Sequence, residues 1–270
     1  MKINNMKNLN FRSGLTNQTT KKEQSVNPKL IESYFLNYYN VEASFNKNKS
    51  AALANQICAN IFEKFAKILN IDIALPPCIK IYNAKNLVDK TSVENFCIPD
   101  TKEVLNNDYP YPGRSIFFQD FINLQNINDQ TEFQYKNKKT SSSHFLAPFI
   151  HEWLHSIQLD KIYSHFGYGG ECDYLKSIYP LKNQNRSGFS IIKNLENKKL
   201  TPKENEIIFD ILGEYSTQPI NQYFEIFSET FTKFICDSLK GIELVKNPLE
   251  LFNKSPKEFK DIVKRIIYLQ

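Results

Sequence analysis

His151 and His155 stand four residues apart with Glu152 directly after the first, in the run His151-Glu152-Trp153-Leu154-His155. Residues four apart share a helical face, so both imidazoles can reach one ion. Glu152 then lies beside that ion rather than on it, where a general base can take a proton from water. The chemistry such a set supports is zinc-assisted hydrolysis. With 4 histidines and 18 glutamates in 270 residues, the pattern arises by chance in roughly 0.4% of chains, too seldom to set it aside. The neighbours Ile150, Trp153, Leu154 and Ser156 are uncharged, as a helix buried around a metal requires.

A zinc site of this kind needs a third protein ligand. A histidine six residues after His155 would fall at position 161, where Lys161 stands, and Gln158 occupies the place of a glycine, which excludes the three-histidine version. His144 and His165 are read as hydrogen-bonding histidines of the surface or core. Glu225 and Glu229, four apart in Phe224-Glu225-Ile226-Phe227-Ser228-Glu229-Thr230-Phe231, are the stronger candidates. Two acids on one face of an otherwise apolar helix are costly to bury without partners; a metal and a metal-bound imidazole would supply them. Glu225 is expected as third ligand and Glu229 as the carboxylate that orients a ligand imidazole, with an exchange of the two roles left open. Tyr215 offers a hydroxyl to a developing oxyanion, against an ordinary packing role, and Glu214 is an alternative ligand.

The elements that carry these residues have their own signals. Leu53, Ile57, Ile61, Phe65 and Ile68 recur at helical spacing and predict a helix over 50–70. Cys78–Tyr82 alternates as a strand, a turn cluster follows at Tyr109-Pro110-Tyr111-Pro112-Gly113, and Ser115–Phe121 reads as a second strand able to pair with an extended substrate. A polar loop is expected to about Thr140. Ser141-Ser142-Ser143 then offers N-cap hydroxyls to the histidine-bearing helix, which runs to Phe166 with Gly167 as its stop. Thr201-Pro202-Lys203-Glu204 is a capping box for a helix ending at Gly213. Asn221 caps a helix to Lys240, and Ser255-Pro256-Lys257-Glu258 opens a last one, to about Leu269. The expected class is α+β: a disordered basic tail over 1–28, an N-terminal lobe with a small mixed sheet over 29–140, and a mainly helical, zinc-binding catalytic lobe over 141–270.

The net charge of +5 is confined to one end. Residues 1–49 hold eight Lys/Arg against three Asp/Glu, and the other 221 residues carry 26 of each sign, so the body offers no basic face for nucleic acid. The five cysteines (Cys58, Cys78, Cys97, Cys172 and Cys236) form no CxxC pair and read as free thiols. The abundance of Asn and Lys reads as compositional bias. No apolar run reaches the length of a membrane span, and the N-terminus lacks a secretory core. A monomer is expected, cytoplasmic or exported without a classical signal peptide.

HExxH followed by a helix bearing E-x-F-x-E-x-F resembles the gluzincins, and within them the family of the anthrax lethal factor catalytic domain. The likeness rests on His151–His155, Tyr215, Glu225–Phe231 and the closing helix after Ser255-Pro256-Lys257-Glu258-Phe259, roughly the C-terminal half. It implies a zincin-like metalloprotease fold with His151, His155 and Glu225 on zinc, Glu152 and Tyr215 catalytic, and Glu229 in support. The connection from His155 to Glu225 is longer than in that family, and the spacing from Tyr215 to Glu225 differs. The implied activity is cleavage of a protein or peptide substrate. Alternatives are a secreted, toxin-like effector protease and a non-catalytic, zinc-stabilised binding module.

Overall fold

The structure is a computed structural model that describes residues 17–70, 72–82, 95–97, 114–120, 123–166, 200–218, 222–241 and 247–267. The turn cluster at 109–113, Phe121, Gly167, Cys172, Asn221 and Leu269 lie outside these residues, as do the side chains of Lys161 and His165. The described residues are rich in helix with one small sheet, an α+β architecture.

Strands β1 (Glu42–Ser44), β2 (Cys78–Tyr82) and β4 (Ile116–Gln119) run parallel, and β3 (Asn95–Cys97) pairs antiparallel with β4, giving the order β1-β2-β4-β3. Ile79 pairs with Ile116, and Ile81 with Phe118. Ile116, Phe117 and Phe118 are all buried, as befits an interior strand covered on both faces. This corrects the expectation that the strand of 115–121 receives substrate. Both of its sides are already paired, and among the described residues the strand at that edge of the sheet is β3.

Asparagine does much of the helix termination. It accepts the first-turn N–H at the start of α2 (Pro28–Tyr39, Asn27), α3 (Lys49–Leu69, Asn48) and α4 (Leu124–Lys136, Asn123). Asn247 does the same for a short helix, Pro248–Lys254. Asn40 and Asn70 close α2 and α3 in the left-handed conformation, at φ 53 and φ 51. Asn is a favoured N-cap and replaces Gly at small cost in the left-handed closing position, and these roles give a structural use to a residue whose abundance reads as bias.

Two segments expected to be irregular are helical. Asn17–Ser25 forms α1 within the supposed tail, with Thr19 and Val26 buried. Glu23 holds it there by accepting hydrogen bonds from the Ser50 hydroxyl and from the Leu124 N–H at 3.1 Å. Helix α4 replaces the polar loop before Thr140; its only buried stripe is Leu124, Ile127 and Thr131, too thin to show as a period.

The histidine-bearing helix α5 (Ala147–Phe166) begins later than the serine run suggests. Ser141 and Ser143 are engaged with a distant helix, described below, and Ser142 accepts from the N–H of His144, so none of them caps α5. Helix α5 belongs to the core built by the N-terminal elements: Phe149, Ile150, Trp153, Leu154 and Ile157 join one apolar cluster that extends back to Val26. The expected lobe boundary at 140/141 therefore does not divide the cores. Trp153 lies flat on Phe62 of α3, with centroids 5.5 Å apart, and its indole N–H donates to Asn55 Oδ1 at 2.8 Å. Asn55 in turn donates to the Ala51 carbonyl. On another side, the Ser156 hydroxyl donates to the Arg114 carbonyl, and the Arg114 guanidinium pairs with Asp160 at 2.8 Å.

A second core lies among α6 (Pro202–Leu212), α7 (Gln222–Lys240) and α9 (Lys257–Ile267), with Ile208, Leu212, Ile226, Phe234, Phe259 and Ile262 buried; Pro248–Lys254 is α8. The Thr201/Glu204 capping box is present, and Glu204 also binds Arg265 of α9 at 2.8 Å. Helix α7 is shared: Ile226 and Phe234 face this core, while Ile235 and Cys236 face the first. Cys58, Cys78, Cys97 and Cys236 are free, and burial pushes the Cys236 thiol up to about 12. Among the described residues no helix is long and apolar enough to cross a membrane.

Asn55→Ala should remove the acceptor that the buried Trp153 N–H finds among the described residues, at a cost of about 1–3 kcal/mol. Urea unfolding should then show a lower midpoint at unchanged slope; an unaltered midpoint would refute this account of how α5 is held.

Candidate metal centre

Helices α5 and α7 lie against each other, and their facing turns carry the acids and imidazoles. His151 Nε2 and His155 Nε2 approach to 2.9 Å. Glu225 reaches both, with Oε2 at 3.1 Å from His151 Nε2 and Oε1 at 3.6 Å from His155 Nε2. Ligands bound to a tetrahedral zinc ion sit roughly 3.3–3.6 Å from one another; the 3.6 Å separation falls in that range, and those of 2.9 and 3.1 Å are a little shorter. His151, His155 and Glu225 could hold a metal ion.

Glu229 is differently placed. Its Oε1 lies 3.0 Å from His151 Nδ1, the nitrogen turned away from Glu225, and its Oε2 accepts the Ser141 N–H at 2.8 Å. The Ser141 hydroxyl returns to the Glu229 carbonyl at 2.9 Å, and Lys240 donates to Ser143 Oγ at 2.6 Å. The turn before α5 is thus fastened to α7 beside the histidines. The geometry separates the two acids, with Glu225 facing the Nε2 atoms of both histidines and Glu229 facing Nδ1 of His151. Glu214 is exposed and stands outside the group.

A further contact has no counterpart in the sequence reading. Ser228 Oγ lies 2.9 Å from His155 Nδ1 and is fully buried. Its position three residues after Glu225 puts it beside that residue on the helix surface. That spacing was the available signal, but serine is too common a residue for spacing alone to single it out.

Burial raises the Glu152 carboxyl above its ordinary value, while His151 and His155 pull the other way. Glu152 is 7% exposed and forms no hydrogen bond or ion pair among the described residues. For Glu225 burial also acts upward, but the two imidazoles outweigh it and hold the carboxyl well below the usual range. Burial would lower His151; the Glu225 and Glu229 carboxylates overcome that and stabilise the imidazolium well above its ordinary value.

Tyr215 sits half-buried in a 3-10 turn, Glu214–Thr217, packed against α7. This turn is docked on the segment leading to Ser141: the Glu214 N–H donates to the Lys138 carbonyl at 2.7 Å and the Tyr215 N–H to the Lys139 carbonyl at 3.1 Å. Gly213, at φ 91, allows the approach, since a Cβ there would meet the Lys138 carbonyl oxygen at 2.8 Å. His144, expected to serve hydrogen bonding, is buried against Phe145 and accepts the Leu146 N–H on Nδ1.

Comparison with protein-family models, with curated proteins and with solved structures returns no match. The site therefore stands on its own geometry.

The pH dependence of stability follows from His151. Its folded pKa is raised above an unfolded value near 6.5, so the pairing with Glu225 and Glu229 contributes fully below that value and is lost as pH rises through the folded one. A metal replaces the proton. In the presence of a chelator, Tm should fall as pH is raised above about 6.5, and excess zinc should abolish that fall. Equal slopes with and without zinc would contradict the assignment.

Proposed function

We propose that the chain is a zinc-dependent endopeptidase of the gluzincin kind. The observation that carries this reading is the convergence of His151 Nε2, His155 Nε2 and a Glu225 carboxylate oxygen within 4.8 Å of one another, with Glu152 buried next to them on α5. Two imidazoles and one carboxylate are a donor set suited to zinc in a catalytic role, because three protein ligands leave a position open. These are also residues on which the resemblance to the gluzincins rests.

Bound zinc would supply a Lewis acid that polarises the scissile carbonyl and lowers the pKa of water towards about 7. The rest falls to the chain's own side chains. Glu152, buried beside the two imidazoles and unclaimed by any hydrogen bond among the described residues, takes a proton from the attacking water and passes it to the leaving amine. Glu225 holds its charge through both imidazoles, and Glu229 keeps His151 turned with Nε2 towards Glu225. Tyr215 is assigned to the oxyanion, on the strength of its turn lying against α7. An extended peptide would lie along β3, the strand at the sheet edge next to α5.

The test is Glu152→Gln. It should keep one zinc per chain while cleavage of a peptide library falls by about 10²-fold or more. His155→Ala and Glu225→Ala should lose the metal. Full cleavage by Glu152→Gln would sink the mechanism. Stoichiometric zinc in wild type with no cleavage of any peptide would instead favour a zinc-stabilised binding module.

A further inference from the structure

Each histidine that binds a metal through one ring nitrogen must carry a proton on the other, and in a buried site that N–H needs an acceptor. His151 has the Glu229 carboxylate at 3.0 Å from Nδ1. The corresponding atom of His155 lies 2.9 Å from Ser228 Oγ. Ser228 is fully buried, so bulk water is not at hand to replace it.

We propose that Ser228 is a positioning residue for the metal site, holding His155 with its proton on Nδ1 so that Nε2 presents its lone pair beside His151 Nε2 and Glu225. The proposal rests on the reading of His151, His155 and Glu225 as metal ligands. Three residues of one helical face of α7 then divide the work: Glu225 binds, Glu229 supports the first imidazole, and Ser228 supports the second. The two supports differ in kind. A carboxylate makes its imidazole the stronger donor, whereas a neutral hydroxyl fixes ring orientation and tautomer with little added charge. The opposite arrangement, in which Ser228 donates to Nδ1, would leave a proton on Nε2, 2.9 Å from His151 Nε2, where it would block the ion.

The experiment compares Ser228→Ala, Ser228→Thr and Ser228→Val with wild type. Zinc affinity is measured by competition with a chromophoric chelator, and the visible spectrum of the cobalt-substituted protein is recorded alongside. Thr and Val add similar volume and differ in the hydroxyl, so their comparison separates hydrogen bonding from packing, and Ala removes the hydroxyl without adding bulk. Ala and Val should bind zinc about 10-fold more weakly or worse and shift the cobalt bands, while Thr should track wild type. Unfolding of the metal-free Thr and Val proteins should be alike. Wild-type affinity in both Ala and Val, or Thr as weak as Val, would overturn the role of Ser228 and leave the metal site standing. Absence of zinc binding by wild type would overturn the proposal and the underlying site together.

Discussion

Two carboxylates and two imidazoles are largely withdrawn from water where α5 meets α7, and the surrounding structure has to make that tolerable. Isolated, any one of these groups in ionised form would be costly to remove from water. Here each answers another: Glu225 reaches both histidines, Glu229 takes one, and the Ser141 N–H occupies the remaining Glu229 oxygen. Removing one partner would leave the others uncompensated, so the cluster requires fixed helices. The indole of Trp153 and the side chain of Asn55 hold α5 from behind, and the serine turn fastens it to α7 in front.

Helix α7 is the element on which both cores and the site depend. Its faces serve three tasks: apolar contact with the elements around the sheet, apolar contact with α6 and α9, and the polar stripe Glu225, Ser228 and Glu229 towards α5. A helix so committed has little freedom to rotate, because moving the polar stripe off the histidines would also withdraw Ile226 and Phe234 from one core and Ile235 from the other. The positional accuracy of the polar stripe thus comes from packing on the opposite sides of the helix that carries it.

The helices around the site were legible because their signals are local. His151, Glu152 and His155 announce themselves by spacing, Glu225 and Glu229 by the expense of acids in an apolar helix, and α6 by its capping box. What escaped depends on contacts between distant residues. Ser141-Ser142-Ser143 has the composition of a helix cap, yet Ser141 is spent on Glu229, 88 positions away. Helix α1 looks like a tail because the carboxylate that secures it has its partners on α3 and α4. The place of β4 inside the sheet depends on β3, a strand of three residues with too little pattern to be read. Ser228 was hidden for a different reason: its meaning lies in the nitrogen it faces.

The spacing within α7 also says where this chain can change. Adding or deleting one residue between Glu225 and Glu229 would swing later side chains by about 100° around the helix and scatter the stripe. Insertions between α5 and α7, by contrast, need only return the chain to the same interface. Distant kin should therefore keep H-E-x-x-H and a compact E-x-x-[ST]-E, with a connection free to lengthen outside α6 and the Glu214–Thr217 turn.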